Sequence, residues 1–331
     1  MFSGSLVAGA GGAGGGVAGR GGAGRGDHGD PGDLDPNALE PHGTGHPGGG
    51  FTLKRAWAVL RRDPLALIGL AVIVLLVVTA IFAPQLAPYP EHGEGRTSVS
   101  TRMQPPSEEF LLGTDRLGRD VLSRVIYGTR PALSASLIVV LLAVGIGAPL
   151  GALAGLLGGW VDEVVMRISD LFLAFPSLLL AMAIVALLGP SLTNAVVALA
   201  VSWWPWYTRL VRGVARSLRE QAFVEAARAL GARTPAITWR HILPNTVAPV
   251  LVQASLDIGT VILATTGLAF LGLGSQPPAA DWGLMIEDGR ALLHNAWWAS
   301  TFPGLAIFVT VVAFNLVGDA LRDLFDPREY R

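Results

Sequence analysis

The densest group of residues able to do chemistry in this chain is a polar stretch, Glu225-Ala226-Ala227-Arg228-Ala229-Leu230-Gly231, running on to His241-Ile242-Leu243-Pro244-Asn245. Glu225 supplies one fixed charge, Ala226 and Ala227 leave a shallow surface, and Gly231 can stop a helix by taking a left-handed conformation. That combination suits a grip for a partner protein; the plainer reading is a basic loop that only sets topology. The remaining sequence holds no nucleophile, base and orienter in one constellation, so no catalytic residue is assigned. The absence of cysteine excludes disulfides, thiolate metal sites and cysteine nucleophiles. His241 has no second histidine or carboxylate at ligand spacing, and His28, His42 and His46 lie in a Gly-rich stretch, so no metal site is expected. Lys54, the only lysine, follows Thr52 and Leu53, so the Gly-Lys pair of a nucleotide-hydrolysing P-loop is missing. Any ATP used here is bound, with its Mg, by another chain, and no cofactor belongs to this one.

The elements that must position this stretch are membrane helices. Apolar residues make up 51% of the chain, charged residues only 15%, and the mean hydropathy is +0.50, far from a soluble domain with about 25% charged residues. Residues 1–50 are Gly-rich, lack any run able to bury apolar surface, and read as a disordered cytoplasmic tail. The Leu6-Val7 patch is too short for a signal peptide. Residues 51–110 read as an N-terminal helix and an external segment, and 111–331 as the transmembrane domain, with the polar loop at 209–245.

A helix crosses the hydrocarbon core with about 20 apolar residues. The first such run, Leu65 to Ala83, follows Lys54, Arg55, Arg61 and Arg62, which places the N-terminus inside. The second, Pro131 to Val161, carries Gly145, Gly147, Gly151 and Gly155, a texture suited to close helix approach in lipid. Leu171 to Thr208 is free of charge and, at about 57 Å of helix, too long for one crossing; Gly189-Pro190-Ser191 divides it. Runs from Pro244 to Gly274 and from Ala299 to Gly318 complete an all-α protein of six spans with both termini cytoplasmic. Seven arginines against Glu220 and Glu225 between Arg209 and Arg240 place that loop inside. Trp57, Trp160, Trp203, Trp204, Trp206, Trp297 and Trp298 fall near the ends of the spans, where interfacial rings are favoured.

Within the loop, a helix from Ser217 to Leu230, capped by Gly231, is expected to be followed by a second short helix from about Thr234 that ends before Pro244. On the other side, Gly113 to Tyr127 has apolar residues at helical period and is expected to lie flat on the external surface, as a brace for a docked partner or as a cap on the bundle. Asp257 is the one acid deep inside a span, where a charge costs roughly 2.5 to 3.5 kcal/mol. With Gln253 beside it, it either lines a translocation path, meeting a peptide's amino group, or bonds to a neighbouring helix.

The 225–244 stretch resembles the EAA loop of permease subunits in ATP-binding-cassette importers, with His241 where an aliphatic residue is usual. Leu112-Gly113-Thr114-Asp115-Arg116-Leu117-Gly118-Arg119-Asp120, Phe270-Leu271-Gly272-Leu273-Gly274, Pro277-Pro278, Trp282-Gly283, Phe302-Pro303-Gly304, Asn315-Leu316-Val317-Gly318-Asp319 and Asp326-Pro327-Arg328 resemble the C-type permeases of dipeptide, oligopeptide and nickel importers. The resemblance spans about Leu53 to Arg328. It implies a type I importer, MetI-like permease fold in a bacterial cytoplasmic membrane, crossing the lipid bilayer several times. It also implies a homologous second permease, two ATPase chains inside and a solute-binding protein outside; nothing points to nucleic acid. Glu225, Ala226, Ala227, Gly231, Leu243 and Pro244 would form the ATPase-coupling loop. Di- and oligopeptides are the cargo the resemblance implies, with nickel chelates, glycans or other small solutes as alternatives. Thr265 stands where Glu is frequent in that family. An ion-driven secondary transporter predicts paired ionisable groups at midplane, where Asp257 stands alone; a scaffold that moves nothing predicts that Glu225 and Gly231 are dispensable.

Overall fold

Pro64 opens the first helix because its fixed backbone angle suits a first turn, and Asp63 caps that turn by accepting the Leu65 amide at 2.9 Å. The computed structural model describes residues 63–325. The Gly-rich tail, Lys54, Arg55, Arg61, Arg62, Trp57 and Asp326-Pro327-Arg328 lie outside the described residues.

Helix α1 is Pro64–Ile81. Single turns at Ala83–Leu86, Pro90–Gly93 and Val99–Thr101 lead across one end of the bundle. Helix α2, Val121–Leu157, begins where Asp120 accepts the Ser123 amide at 2.7 Å. Helices α3, Gly159–Leu173, and α4, Ser177–Leu188, meet at 82° beside Pro176. Helix α5 is Leu192–Arg219, capped by the Ser191 hydroxyl. Then come α6, Ala222–Ala229, and α7, Thr234–Ile237, followed by a π-helical turn at Thr238–Ile242 and α8, Leu243–Phe270. Helices α9, Trp282–Arg290, and α10, Trp298–Phe325, complete the described chain. The β pairing among the described residues is an isolated bridge between Thr114 and Asp120.

All six apolar runs are helical. Four helices, α1, α2, the rod Thr234–Phe270 and α10, are long and apolar enough to cross a membrane, and the bent pair α3–α4 makes a fifth. The sixth run is α5, whose hydropathy is lowered by Trp203, Trp204, Pro205, Trp206 and Tyr207. It packs along α2 through Gly147, Gly151 and Gly155: a Cβ on the first would overlap the Trp204 carbonyl, on the second the Thr208 carbonyl, and on the third Ala215. Lipid removes the hydrophobic drive between helices, so close approach of this kind supplies the packing energy. Gly145 faces open space and takes no part.

The structure corrects several expectations. No flat helix covers Gly113–Tyr127: residues 113–120 form a turn, because the Asp115 carboxylate accepts the amides of Leu117 and Arg119, and the helix beginning at Val121 continues into α2. The expected Ser217–Leu230 helix is two helices, broken at Glu220-Gln221. The short helix from Thr234 is there as α7, but the chain does not break before Pro244: α7, the π turn and α8 run on as one rod of 37 residues, Thr234–Phe270. The π turn just before Pro244 adjusts the ladder where proline lacks a donor and crowds the preceding turn. Of the tryptophans, Trp160, Trp206 and Trp297 are exposed, but Trp203, Trp204 and Trp298 are packed inside. Trp204 meets Phe172 edge-on, and Trp298 donates to the Thr114 carbonyl.

Candidate functional site

The loop after α5 is built with one face inward and one outward. Val224, Ile237 and Ile242 are fully buried, and Ala227 and Leu243 pack partly against the same core. The outer face presents Glu225, Ala226, Ala229, Gly231 and Pro244, with Leu230 88% exposed at the tip. Apolar residues at helical spacing hold α6 down, so the small and charged residues between them face away.

The elbow between α6 and α7 is fixed by backbone bonds. Gly231 has φ +81°, its amide donates to the Arg228 carbonyl at 2.9 Å, and the Ala232 amide donates to Ala227 at 3.0 Å. This is a Schellman stop, which uses a left-handed residue to satisfy the last carbonyls of a helix. The Arg228 guanidinium reaches back to the Leu156 carbonyl at the end of α2. Phe223 and His241 bring their rings within 6.0 Å across the elbow, and Trp239 is exposed beside them.

Two ion pairs clip α3 to the C-terminal half of α5: Arg212 holds both oxygens of Asp162, and Arg209 meets Asp170 at 2.6 Å. Read from sequence alone, these arginines have only a topological role. Their partners lie 50 and 39 residues away, and no local pattern connects them.

Gln253 and Asp257 come together one helical turn apart on α8, with the Gln253 amide donating to Asp257 at 3.0 Å. Asp257 is 8% exposed and turns towards α5, where Tyr207 is its neighbour. Neither Asp257 Oδ2 nor the Tyr207 hydroxyl has a partner at hydrogen-bond geometry. Sequence reasoning missed Tyr207, which reads as one more aromatic residue in an aromatic cluster. Thr265 turns its buried hydroxyl back onto the Val261 and Ile262 carbonyls of its own helix.

At the opposite end, the arginines of 113–124 point inward. Arg119 binds Asp115 at 2.6 Å and Asp288 at 3.3 Å, Arg116 also pairs with Asp288, and the fully buried Arg124 donates to the Ala279 carbonyl at 2.8 Å. Asp281 caps α9 by accepting the Gly283 amide and also accepts the Ser275 hydroxyl. Burial pushes its carboxyl above the usual range, a trend those hydrogen bonds oppose without reversing. Among the described residues no cluster of His, Asp or Glu could hold a metal ion.

Residues 147–330 match the family described as the binding-protein-dependent transport system inner membrane component. Residues 52–106 match the N-terminal transmembrane domain of oligopeptide transport permease C. The chain is 45% identical to a dipeptide transport system permease protein of Alkalihalophilus pseudofirmus, over 83% of this chain and 90% of that one. It is 46% identical to a probable D,D-dipeptide permease of Escherichia coli, over 83% and 91%. Identity to a glutathione transport system permease protein of Pectobacterium atrosepticum is 42%, over 83% and 91%. Inward-facing structures of the MetNI methionine ABC transporter share the fold, with a TM-score of 0.51 at 20% identity over 61% of this chain and 97% of that one.

Proposed function

This chain belongs to the binding-protein-dependent transport system inner membrane component family, the permeases of ATP-binding-cassette importers, and from that premise we propose that it moves short peptides, driven through the loop at 209–245. It is a non-catalytic membrane subunit that works with a separate ATPase. In the proposed assembly it pairs with a homologous permease, two ATPase chains grip the elbow from the cytoplasm, and a solute-binding protein delivers cargo on the other side. Both termini then lie in the cytoplasm, the side to which the arginines of 209–240 assign the elbow. Residues 111–331 act as the moving unit, with 1–50 as a tail and 51–110 as an added helix and external segment.

One observation carries the coupling role: the elbow and the fifth crossing are a single rod, Thr234–Phe270. A displacement applied to Glu225, Ala226 and Gly231 passes through α7 and Leu243-Pro244 into α8 without a flexible joint. ATPase closure then rocks α8 against α5 and opens the path to the other side. Gln253 and Asp257 ride on the same rod and are proposed to mark where the path passes.

Peptide as cargo is supported by the dipeptide relatives; the glutathione relative shows that sequences this similar serve other peptide-like solutes. Uptake of a labelled dipeptide by the assembled transporter in proteoliposomes tests it. Uptake is expected to require internal ATP and to be unaffected by an uncoupler at fixed ATP. Uptake that follows an ion gradient instead would sink the coupling account, whereas ATP-driven uptake of a metal chelate or glycan alone would correct only the cargo. Glu225→Lys is expected to lower uptake at unchanged abundance.

A further inference from the structure

At the elbow end of the bundle, α5, α8 and α10 leave an open groove of about 510 Å³. Leu210, Ala248, Val252 and Leu256 form an apolar wall, Gln253 lies within it, and Arg322 from the last turn of α10 stands at its edge. The Gln253 amide is already committed to Asp257. Arg322 is exposed, and among the described residues it makes no hydrogen bond or ion pair, although Asp319 and Asp323 lie on the same helix. By contrast Arg209 and Arg212, on the neighbouring α5, are each neutralised by an aspartate of α3. No acid lines the groove.

We propose that this groove holds an anionic phospholipid of the cytoplasmic leaflet, with an acyl chain along Leu210, Val252 and Leu256 and the phosphate on Arg322. A guanidinium offers five donors in a planar fork that matches a phosphate. An apolar wall with one cation at its rim that is unpaired among the described residues matches an amphiphile whose charge and chain are joined end to end. A polar cargo calls for several convergent polar groups, and here Gln253 is the one polar side chain in the lining besides Arg322. Val247 and Leu251, exposed on α8, extend the apolar surface for a second chain. Anionic lipids are attracted to unpaired basic residues at this membrane face.

The test is native mass spectrometry of the assembled transporter, exchanged into micelles doped with palmitoyl-oleoyl phosphatidylglycerol or the matching phosphatidylcholine. Wild type is expected to retain phosphatidylglycerol preferentially. Arg322→Gln, which removes only the cation, should weaken that retention about tenfold. Ala248→Trp, which fills the groove and leaves Arg322 in place, should weaken it as well. Both variants are compared at a wild-type unfolding midpoint, and Ala248→Phe replaces any that fails this control. Equal retention of the two lipids overturns the proposal, as does phosphatidylglycerol retention unchanged by either substitution. If Arg322→Gln raises the KM for cargo while lipid retention stays constant, the groove is part of the cargo path and the lipid assignment is wrong. None of these outcomes depends on which solute is carried.

Discussion

Ala232 donates its amide to the carbonyl of Ala227 at 3.0 Å, closing α6 across the left-handed turn at Gly231. Nothing stands within 4 Å of a Cβ added to Gly231, so backbone conformation alone demands glycine there. Gly231→Ala should therefore strain the elbow by about 1 to 2 kcal/mol without disturbing the bundle. We expect reduced uptake per ATP hydrolysed, with helical content and abundance unchanged, and a milder loss for Gly231→Asn, which tolerates this conformation. Full coupling in Gly231→Ala would mean that the elbow's shape is unimportant.

Packing of α2 on α5 should be far less tolerant. Any side chain at Gly151 meets the Thr208 carbonyl and the Arg212 amide, which are backbone atoms and cannot swing aside. Gly151→Leu is expected to cost about 3 kcal/mol or more through forced separation of the helices, read as a large fall in the unfolding midpoint. The same substitution at Gly145, which faces open space, should be nearly silent.

Arg119 bridges Asp115 and Asp288 with its side chain only 3% exposed. Replacing it with methionine keeps the volume but takes the nearest guanidinium from Asp115 and leaves Asp288 with Arg116; breaking a buried pair from one side costs about 3 to 5 kcal/mol, and the partners that remain place this loss at the lower end. Thermal unfolding of the purified complex measures the loss, and the double variant Arg119→Met with Asp115→Asn should recover part of it.

Asp281 supplies a pH dependence. Burial raises its folded-state pKa, so the folded chain holds the proton more tightly than the unfolded chain, whose value is about 3.9. Its contribution to stability is greatest below the unfolded pKa and declines as pH rises through the folded value. Asp281→Asn keeps an acceptor for the α9 cap and carries no charge. Relative to this variant, the wild-type unfolding midpoint should fall as pH rises above the unfolded value of about 3.9. A wild-type advantage that grows with pH would show that the neighbouring hydrogen bonds outweigh burial.

The sequence announced its spans because an uncharged run of about 20 residues has few other uses, and it announced Gly231 because a helix stop needs a left-handed residue. It misled at Gly113–Tyr127, where apolar periodicity suggested a surface helix although the alternating charges pair inward with Asp288, more than 160 residues away. Pro244 misled in the opposite sense: proline reads as a terminator, yet the π turn at Thr238–Ile242 lets the rod pass through it. Asp257 was legible as an intramembrane acid, but Tyr207 was not, since its contact depends on how α5 and α8 meet. Arg322 drew no attention in the sequence, where it is one basic residue among several; that it has no partner among the described residues becomes visible only against the paired Arg209 and Arg212.

The chain contains no cysteine, so Ala226→Cys introduces a single thiol on the exposed face of α6. Attaching a photoactivatable cross-linker there in the assembled transporter, with and without ATP, tests the central claim most directly. The account predicts an adduct with the ATPase chain whose yield changes with nucleotide. Labelling confined to lipid or to the permease itself, or a nucleotide-independent adduct with the solute-binding protein, would contradict it.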